Sequence, residues 1–342
     1  MKITANHVTM LRIVCLPLPC YLMYGGAWER TAALALFVVL GLTDYLDGIM
    51  ARRDGSTPLG RLLDPIADKI FLAVTFVPLL HLGILPVWIV WPIFLREFLV
   101  TELRRFMTGR ETGLKVTELA KLKTTLQMTG FGLILFNATF PDKGVSIALL
   151  LMAIVASGVA WLILRLRRRD VHPRIKKALL WAGIGLVIIL PCSAGCTNII
   201  YGIVLVAITL LSGWQYIRTG FPICVGKGAR SLLSLAASLL LPLSALALVK
   251  PEQPASVLVI VILSLEFAVQ GLDMWARQEG FADISGHKRR FIIPVAFLPL
   301  LYGMLTGSDT TSLFILAAFV SSLAYAIYDF VLHRKLVSDG MF

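Results

Sequence analysis

The sequence predicts an all-α polytopic membrane protein. Three observations carry this. Of its 342 residues 58% are hydrophobic, and the mean hydropathy is +0.83, far above a soluble domain. The apolar residues fall in runs near the length of about 20 that a helix needs to cross a bilayer. The basic residues gather in the short connections between those runs.

Taken in order, spans are expected near 8–25, 31–52, 60–82, 86–105, 119–139 and 146–165. Asn6, Thr9 and Arg12 interrupt the first run, and Pro19 precedes Cys20 where a signal peptide would want a small residue. The first span is therefore expected to be retained. Thr57-Pro58 reads as a helix start, with Thr57 as N-cap and Pro58 in the first turn. Pro65 is expected to bend the helix that follows. Six more runs lie near 178–194, 197–214, 230–248, 255–275, 291–307 and 312–332. Between the two sets stands LRLRRRDVHPRIKKA. It reads as a stop-transfer anchor and linker, or more sharply as a contact for anionic lipid. The chain thus divides into 1–168, a basic linker 169–177, and a second transmembrane domain 178–342 with about six helices.

With the N-terminus inside, every one of the 32 Lys and Arg residues except Arg30, Lys143 and Lys250 falls on, or nearest to, the cytoplasmic side. A net charge of +12 would suit a nucleic-acid partner, but this distribution fits an anionic inner leaflet, and no nucleic acid is expected. The five cysteines, at 15, 20, 192, 196 and 224, mostly lie in apolar runs and do not form a disulfide framework. Cys192 and Cys196 can be read as a redox pair, but small buried hydrophobes are the preferred reading.

The stretch DYLDGIMARRDGSTPLGRLLDPIADK, from Asp44 to Lys69, carries the chemistry. Asp44 and Asp47 are three residues apart and Asp64 and Asp68 four apart, so each pair shares one helix face. Four carboxylates at a membrane edge repel one another unless neutralised, and Mg²⁺ and Mn²⁺ prefer oxygen ligands. Gly48, Ala51 and Gly60 leave room for a bulky group against the backbone. Arg52 is a fixed cation suited to phosphate. These parts imply phosphoryl chemistry with two metal ions at a membrane surface. The competing reading is a set of helix-end aspartates paired with Arg52, Arg53, Arg61 and Lys69.

The block resembles the signature of the CDP-alcohol phosphatidyltransferases, filled without departure by Asp44, Asp47, Gly48, Ala51, Arg52, Gly60, Asp64 and Asp68. The resemblance covers residues 1 to about 168 and implies a six-helix catalytic bundle. It implies Asp44, Asp47 and Asp64 as ligands of two Mg²⁺ or Mn²⁺ ions. Asp68 is implied as general base, with a share in the metal site. Gly48, Ala51, Arg52 and Gly60 are implied to pack against a cytidine diphosphate. CDP-diacylglycerol is the implied donor.

The acceptor rests on two other stretches. REFLVTELRRF sets Arg96 well inside an apolar run, where it needs an anionic partner; Glu97, Glu102 or a substrate phosphate would serve. KLKTTLQ follows at the start of span five. Both stretches, with the spacing of Asn6, Thr9 and Arg12, are similar to the bacterial phosphatidylglycerophosphate synthases. That resemblance implies Arg96, Arg104, Lys121 and Lys123 as holders of the phosphate of glycerol 3-phosphate. The reaction expected is transfer of a phosphatidyl group to that acceptor with release of CMP. The expected location is a bacterial inner membrane with the active site facing the cytoplasm, among membrane lipids; a homodimer is compatible with it. A cardiolipin synthase or another CDP-alcohol transferase is the alternative of the same class. A cation-binding transporter is the alternative of another class, disfavoured because the carboxylate block lies at one edge of one half only.

No family is recognised in residues 178–342. Glu266, Gln270, Asp273 and Arg277 form one polar stripe on a span. They read as Asp273 pairing with Arg277 plus contacts to neighbouring helices, or as a lipid or ion site. Every residue assigned to chemistry lies in the first half, so residues 1–172 are expected to retain phosphatidyl transfer alone.

Overall fold

The computed structural model describes residues 5–54, 58–107, 118–142, 193–251, 256–278 and 311–341, with isolated residues between 144 and 159 and residue 305. Some side chains within these helices lie outside that description, among them those of 44–54, 118–121 and 276–278. Thr57, the linker 169–177, Cys192 and most of the runs at 178–194 and 291–307 also lie outside the described residues.

Among the described residues the chain is helical, without strands. The helices are α1 Ala5–Cys15, α2 Pro17–Leu22, α3 Ala27–Asp54, α4 Pro58–His81, α5 Val87–Met107 and α6 Glu118–Thr139. They continue as α7 Ala194–Gly226, α8 Ala229–Ala247, α9 Ser256–Gln278 and α10 Thr311–Met341. Ala194–Gly226, Ala229–Ala247 and Val257–Trp275 are long and apolar enough to cross a membrane. The first-half helices α3 to α6 interrupt their apolar runs with the charged residues of the candidate site. Val14, Tyr21, Trp28, Leu211 and Trp214 face outward, as a lipid-facing surface requires.

Two expectations from the sequence shift. The first span is two helices, because Pro17 opens α2 and offers no N–H to the turn before it. Leu16 keeps helical backbone (φ −56°, ψ −34°), and the Cys20 amide still reaches its carbonyl at 3.3 Å, so α1 and α2 run on as one interrupted rod. Past 214, the sequence IRTGFPICVG reads as a connection, yet α7 continues through it to Gly226. At 33 residues it is about 50 Å long, more than a bilayer's hydrocarbon core. Its buried stripe simply carries on, through Tyr216, Gly220 and Cys224. By contrast α4 is continuous through Pro65 and Pro78.

α7 runs parallel to α5. A Cβ on Gly202 would come within 2.6 Å of Ile89, one on Gly213 within 3.0 Å of Arg96, and one on Gly220 within 3.0 Å of Leu103. Small residues at such a seam let two helices in lipid approach closely, and packing rather than hydrophobicity then holds them. α9 lies along both α4 and α5. Phe267 on α9 stacks on Phe98 of α5 with ring centroids 4.0 Å apart, and a Cβ on Gly271 would meet Ile66 of α4 at 2.6 Å. The second-half helices are thus packed into the first half.

Candidate active site

The site grows from one face of α4. Asp64 and Asp68 stand one turn apart there, and α1 packs behind them. Thr9 Oγ1 donates to Asp64 Oδ1 at 3.3 Å. Arg12 Nη1 lies 3.9 Å from Asp68 Oδ1; the guanidinium is 2% exposed and the carboxylate 49%. A buried cation therefore backs a carboxylate whose other side stays open. Thr9 and Arg12, singled out by their spacing, take their place as the support for this pair. Asp44, Asp47, Gly48, Ala51 and Arg52 lie on the last turns of α3, with only residues 55–57 between α3 and α4. Their side chains, and that of Lys121, lie outside the described residues; Gly60 sits on the first turn of α4.

Beside Asp68 opens a cavity of about 340 Å³. Lys69, Arg96, Arg104 and Lys123 line it with Asp68 and Glu97, against an apolar wall that includes Phe71 and Phe76. Three of the four cations predicted to hold an acceptor phosphate are therefore brought together. Glu97 organises two of them: its Oε1 accepts from Lys123 Nζ at 2.5 Å and from Arg96 Nη1 at 3.2 Å. Charge-assisted bonds of this kind fix long side chains that would otherwise lose much rotamer freedom on binding. Arg96 also donates to the Ser212 carbonyl at 3.5 Å. Arg104 Nη2 donates to the Tyr216 hydroxyl at 2.7 Å and lies over that ring, 4.5 Å from its centre. Four cations against two carboxylates leave a surplus of positive charge, which suits a dianionic phosphate.

Lys69 was missed as a site residue. Its place directly after Asp68 was the available signal, since one step round a helix turns a side chain by about 100° towards the next neighbour. Its ammonium donates to Thr101 Oγ1 at 2.8 Å and lies 5.3 Å from the Phe267 ring centre.

Arg105, the next residue along from Arg104, is turned away from the cavity. It is 3% exposed and meets Glu102 at 3.2 Å, Asp273 at 3.4 Å and the Ser234 hydroxyl at 2.8 Å. Asp273 thus makes one of the expected contacts to a neighbouring helix, while the Arg277 side chain, with the expected Asp273–Arg277 pairing, lies outside the described residues. Glu266 of the same stripe accepts from Ser322 Oγ on α10 at 3.3 Å.

The carboxylates present suit a hard divalent ion. Asp64 and Asp68 offer only oxygen donors, share a face, and are backed by donors that keep them in place. Among the described residues no three such groups converge; Asp44 and Asp47 stand outside that set.

The chain is similar to known proteins over much of its length. The model of the CDP-alcohol phosphatidyltransferase family matches residues 2–189. A protein of Cereibacter sphaeroides named CDP-diacylglycerol–glycerol-3-phosphate 3-phosphatidyltransferase is 30% identical over 225 residues, 64% of this chain and 95% of that one. Proteins of the same name from Rickettsia typhi and Escherichia coli are 34% and 32% identical, over 40% and 43% of this chain and 79% and 85% of theirs. No solved structure matches the chain. The matched residues take in both aspartate pairs and every cation of the cavity, and cover more than half the sequence; the chain belongs to the CDP-alcohol phosphatidyltransferase family.

Proposed function

We propose that this protein transfers a phosphatidyl group from CDP-diacylglycerol to a hydroxyl of glycerol 3-phosphate, giving phosphatidylglycerophosphate and CMP. The observation that carries this reading is the cavity beside Asp68, where Lys69, Arg96, Arg104 and Lys123 outnumber Asp68 and Glu97. A glycerol phosphate dianion matches that surplus better than an uncharged alcohol such as inositol, or zwitterionic serine, would. The names of the three relatives support the same donor and acceptor.

In this reading Arg96, Arg104, Lys121 and Lys123, with Lys69, hold the acceptor's phosphate and aim its hydroxyl at the lipid-side phosphorus. The half-exposed Asp68 accepts the hydroxyl proton as the new P–O bond forms. The bond to CMP breaks, and CMP leaves as the anion. Arg12 and Thr9 keep Asp68 and Asp64 oriented. Gly48, Ala51, Arg52 and Gly60 take the cytidine diphosphate. Two Mg²⁺ or Mn²⁺ ions held by Asp44, Asp47, Asp64 and Asp68 would neutralise the diphosphate and the charge that develops on it.

The wider arrangement belongs to the same proposal. Six spans in residues 1–168 form the catalytic domain, 169–177 the linker, and about six spans in 178–342 the second domain. The N-terminus and the active site face the cytoplasm of a bacterial inner membrane, where the soluble acceptor is found. The helix directions support the alternation of spans. α7 and α9 run parallel to α5 and α9 runs antiparallel to α4, as alternating spans would.

Chelation is expected to abolish CMP release by the purified full-length chain, and Mg²⁺ or Mn²⁺ to restore it; undiminished release would remove the ions from the reading. Arg96→Gln and Lys121→Gln should each raise KM for glycerol 3-phosphate about tenfold or more and spare that for CDP-diacylglycerol, the size of one lost charged hydrogen bond. Equal effects on both substrates would mean that these cations only support the fold.

A further inference from the structure

The family match ends at residue 189 and every residue lining the cavity lies before it, yet groups that meet two of the cavity's cations lie beyond it. Arg104 is exposed, lines the cavity and carries a long, flexible side chain. What meets it is Tyr216 of α7, itself 6% exposed. The phenol accepts a bond from Nη2 at 2.7 Å, and the ring lies under the guanidinium at 4.5 Å. One turn earlier on α7, the Ser212 carbonyl accepts from Arg96 Nη2 at 3.5 Å. Gly213 admits the Arg96 stem, where a Cβ would stand 3.0 Å from it. A single turn of α7 therefore abuts two of the cavity's cations, and the glycine seam along α7 brings it there.

We propose that the turn Ser212–Tyr216 is a positioning element for the acceptor's phosphate, with Tyr216 holding the Arg104 guanidinium in the orientation that binds it. The second half of the chain thereby sets acceptor affinity without touching the donor. This rests on the reading of Arg104 as a phosphate-binding residue. A guanidinium already fixed over a ring loses less freedom when phosphate arrives, so the gain appears in acceptor binding rather than in the chemical step.

The test uses the full-length chain in membranes, with KM measured separately for glycerol 3-phosphate and CDP-diacylglycerol. Tyr216→Leu removes both the bond and the ring. It is expected to raise the acceptor KM about tenfold or more and leave the donor KM unchanged. Tyr216→Phe keeps the ring and the packing, and is expected to give a smaller rise in the same constant, about threefold. It also decides the question if the leucine variant fails to fold. In an Arg104→Gln background neither change should raise the acceptor KM further, whereas a tyrosine that only supports the fold would still add its effect. Were Arg104→Gln to raise the acceptor KM while both tyrosine variants leave it unmoved, the positioning role falls and the acceptor reading stands. Should Arg104→Gln leave it unmoved, both fall at this residue.

Discussion

Asp68→Asn is expected to lose turnover by about 10²–10⁴-fold, the usual share of a positioned general base. The change is isosteric. The ion pair with Arg12 is long at 3.9 Å and its carboxylate half exposed, but the guanidinium is buried, so a stability loss of about 1–2 kcal/mol is expected. Donor binding should remain measurable because Asp44, Asp47 and Asp64 are untouched. Single-turnover CMP release, beside retention of CDP-diacylglycerol by the same protein, separates the two. Full turnover in the variant would take the base assignment away from Asp68.

The second large effect is on stability. Asp273→Asn leaves Arg105 with Glu102 and Ser234 but without its partner on α9. Both members of that pair are almost wholly buried, at 3% and 2% exposure. Breaking a buried pair from one side strands a charge, which costs about 3–5 kcal/mol when nothing else compensates it; with Glu102 still at hand, about 2–3 kcal/mol is expected. A lowered thermal midpoint of the full-length chain in detergent would read this out. Turnover of the protein that remains folded should stay within a few-fold, a barrier change of no more than about 1 kcal/mol. A dead but fully stable variant would place the α9 stripe in the chemistry instead of the assembly.

Much of the site was legible because its signal is local. The spacing of Asp64 and Asp68 sets both on one face of α4 whatever surrounds them. Arg96 stood out because a cation in an apolar run needs an anionic partner, Arg104 and Lys123 only through the family resemblance, and Glu97 proved to be a partner of both Arg96 and Lys123. What was not legible depends on how distant helices meet. Tyr216, Ser212 and Phe267 look like ordinary members of apolar runs. Only the parallel course of α7 and α9 along α5 puts them beside Arg104, Arg96 and Lys69. Asp273 showed the same limit. Its stripe was visible as a helical period, but a period names a face and not the residue opposite, so contacts to neighbouring helices were expected without Arg105 being named. The length of α7 escaped for a related reason. Gly220 and Pro222 usually mark a connection, and here Gly220 fills a seam where the Leu103 side chain of α5 comes within 3.0 Å of where a Cβ would stand.

These contacts also bear on the expectation that residues 1–172 suffice. Such a fragment keeps Asp68 and the cavity cations but loses the groups that hold Arg104, Arg96 and Lys69 from α7 and α9. Any transfer it retains should show a raised acceptor KM.

The central proposal is a phosphate-bearing acceptor for a CDP-linked lipid donor. Purified full-length chain, supplied with CDP-diacylglycerol and Mg²⁺ or Mn²⁺, should be offered labelled glycerol 3-phosphate, glycerol, serine and phosphatidylglycerol in separate reactions. The account predicts CMP release matched by labelled phosphatidylglycerophosphate with glycerol 3-phosphate, and neither product with glycerol or serine. Cardiolipin formed from phosphatidylglycerol in place of that product, or equal CMP release with an alcohol that carries no phosphate, would contradict it.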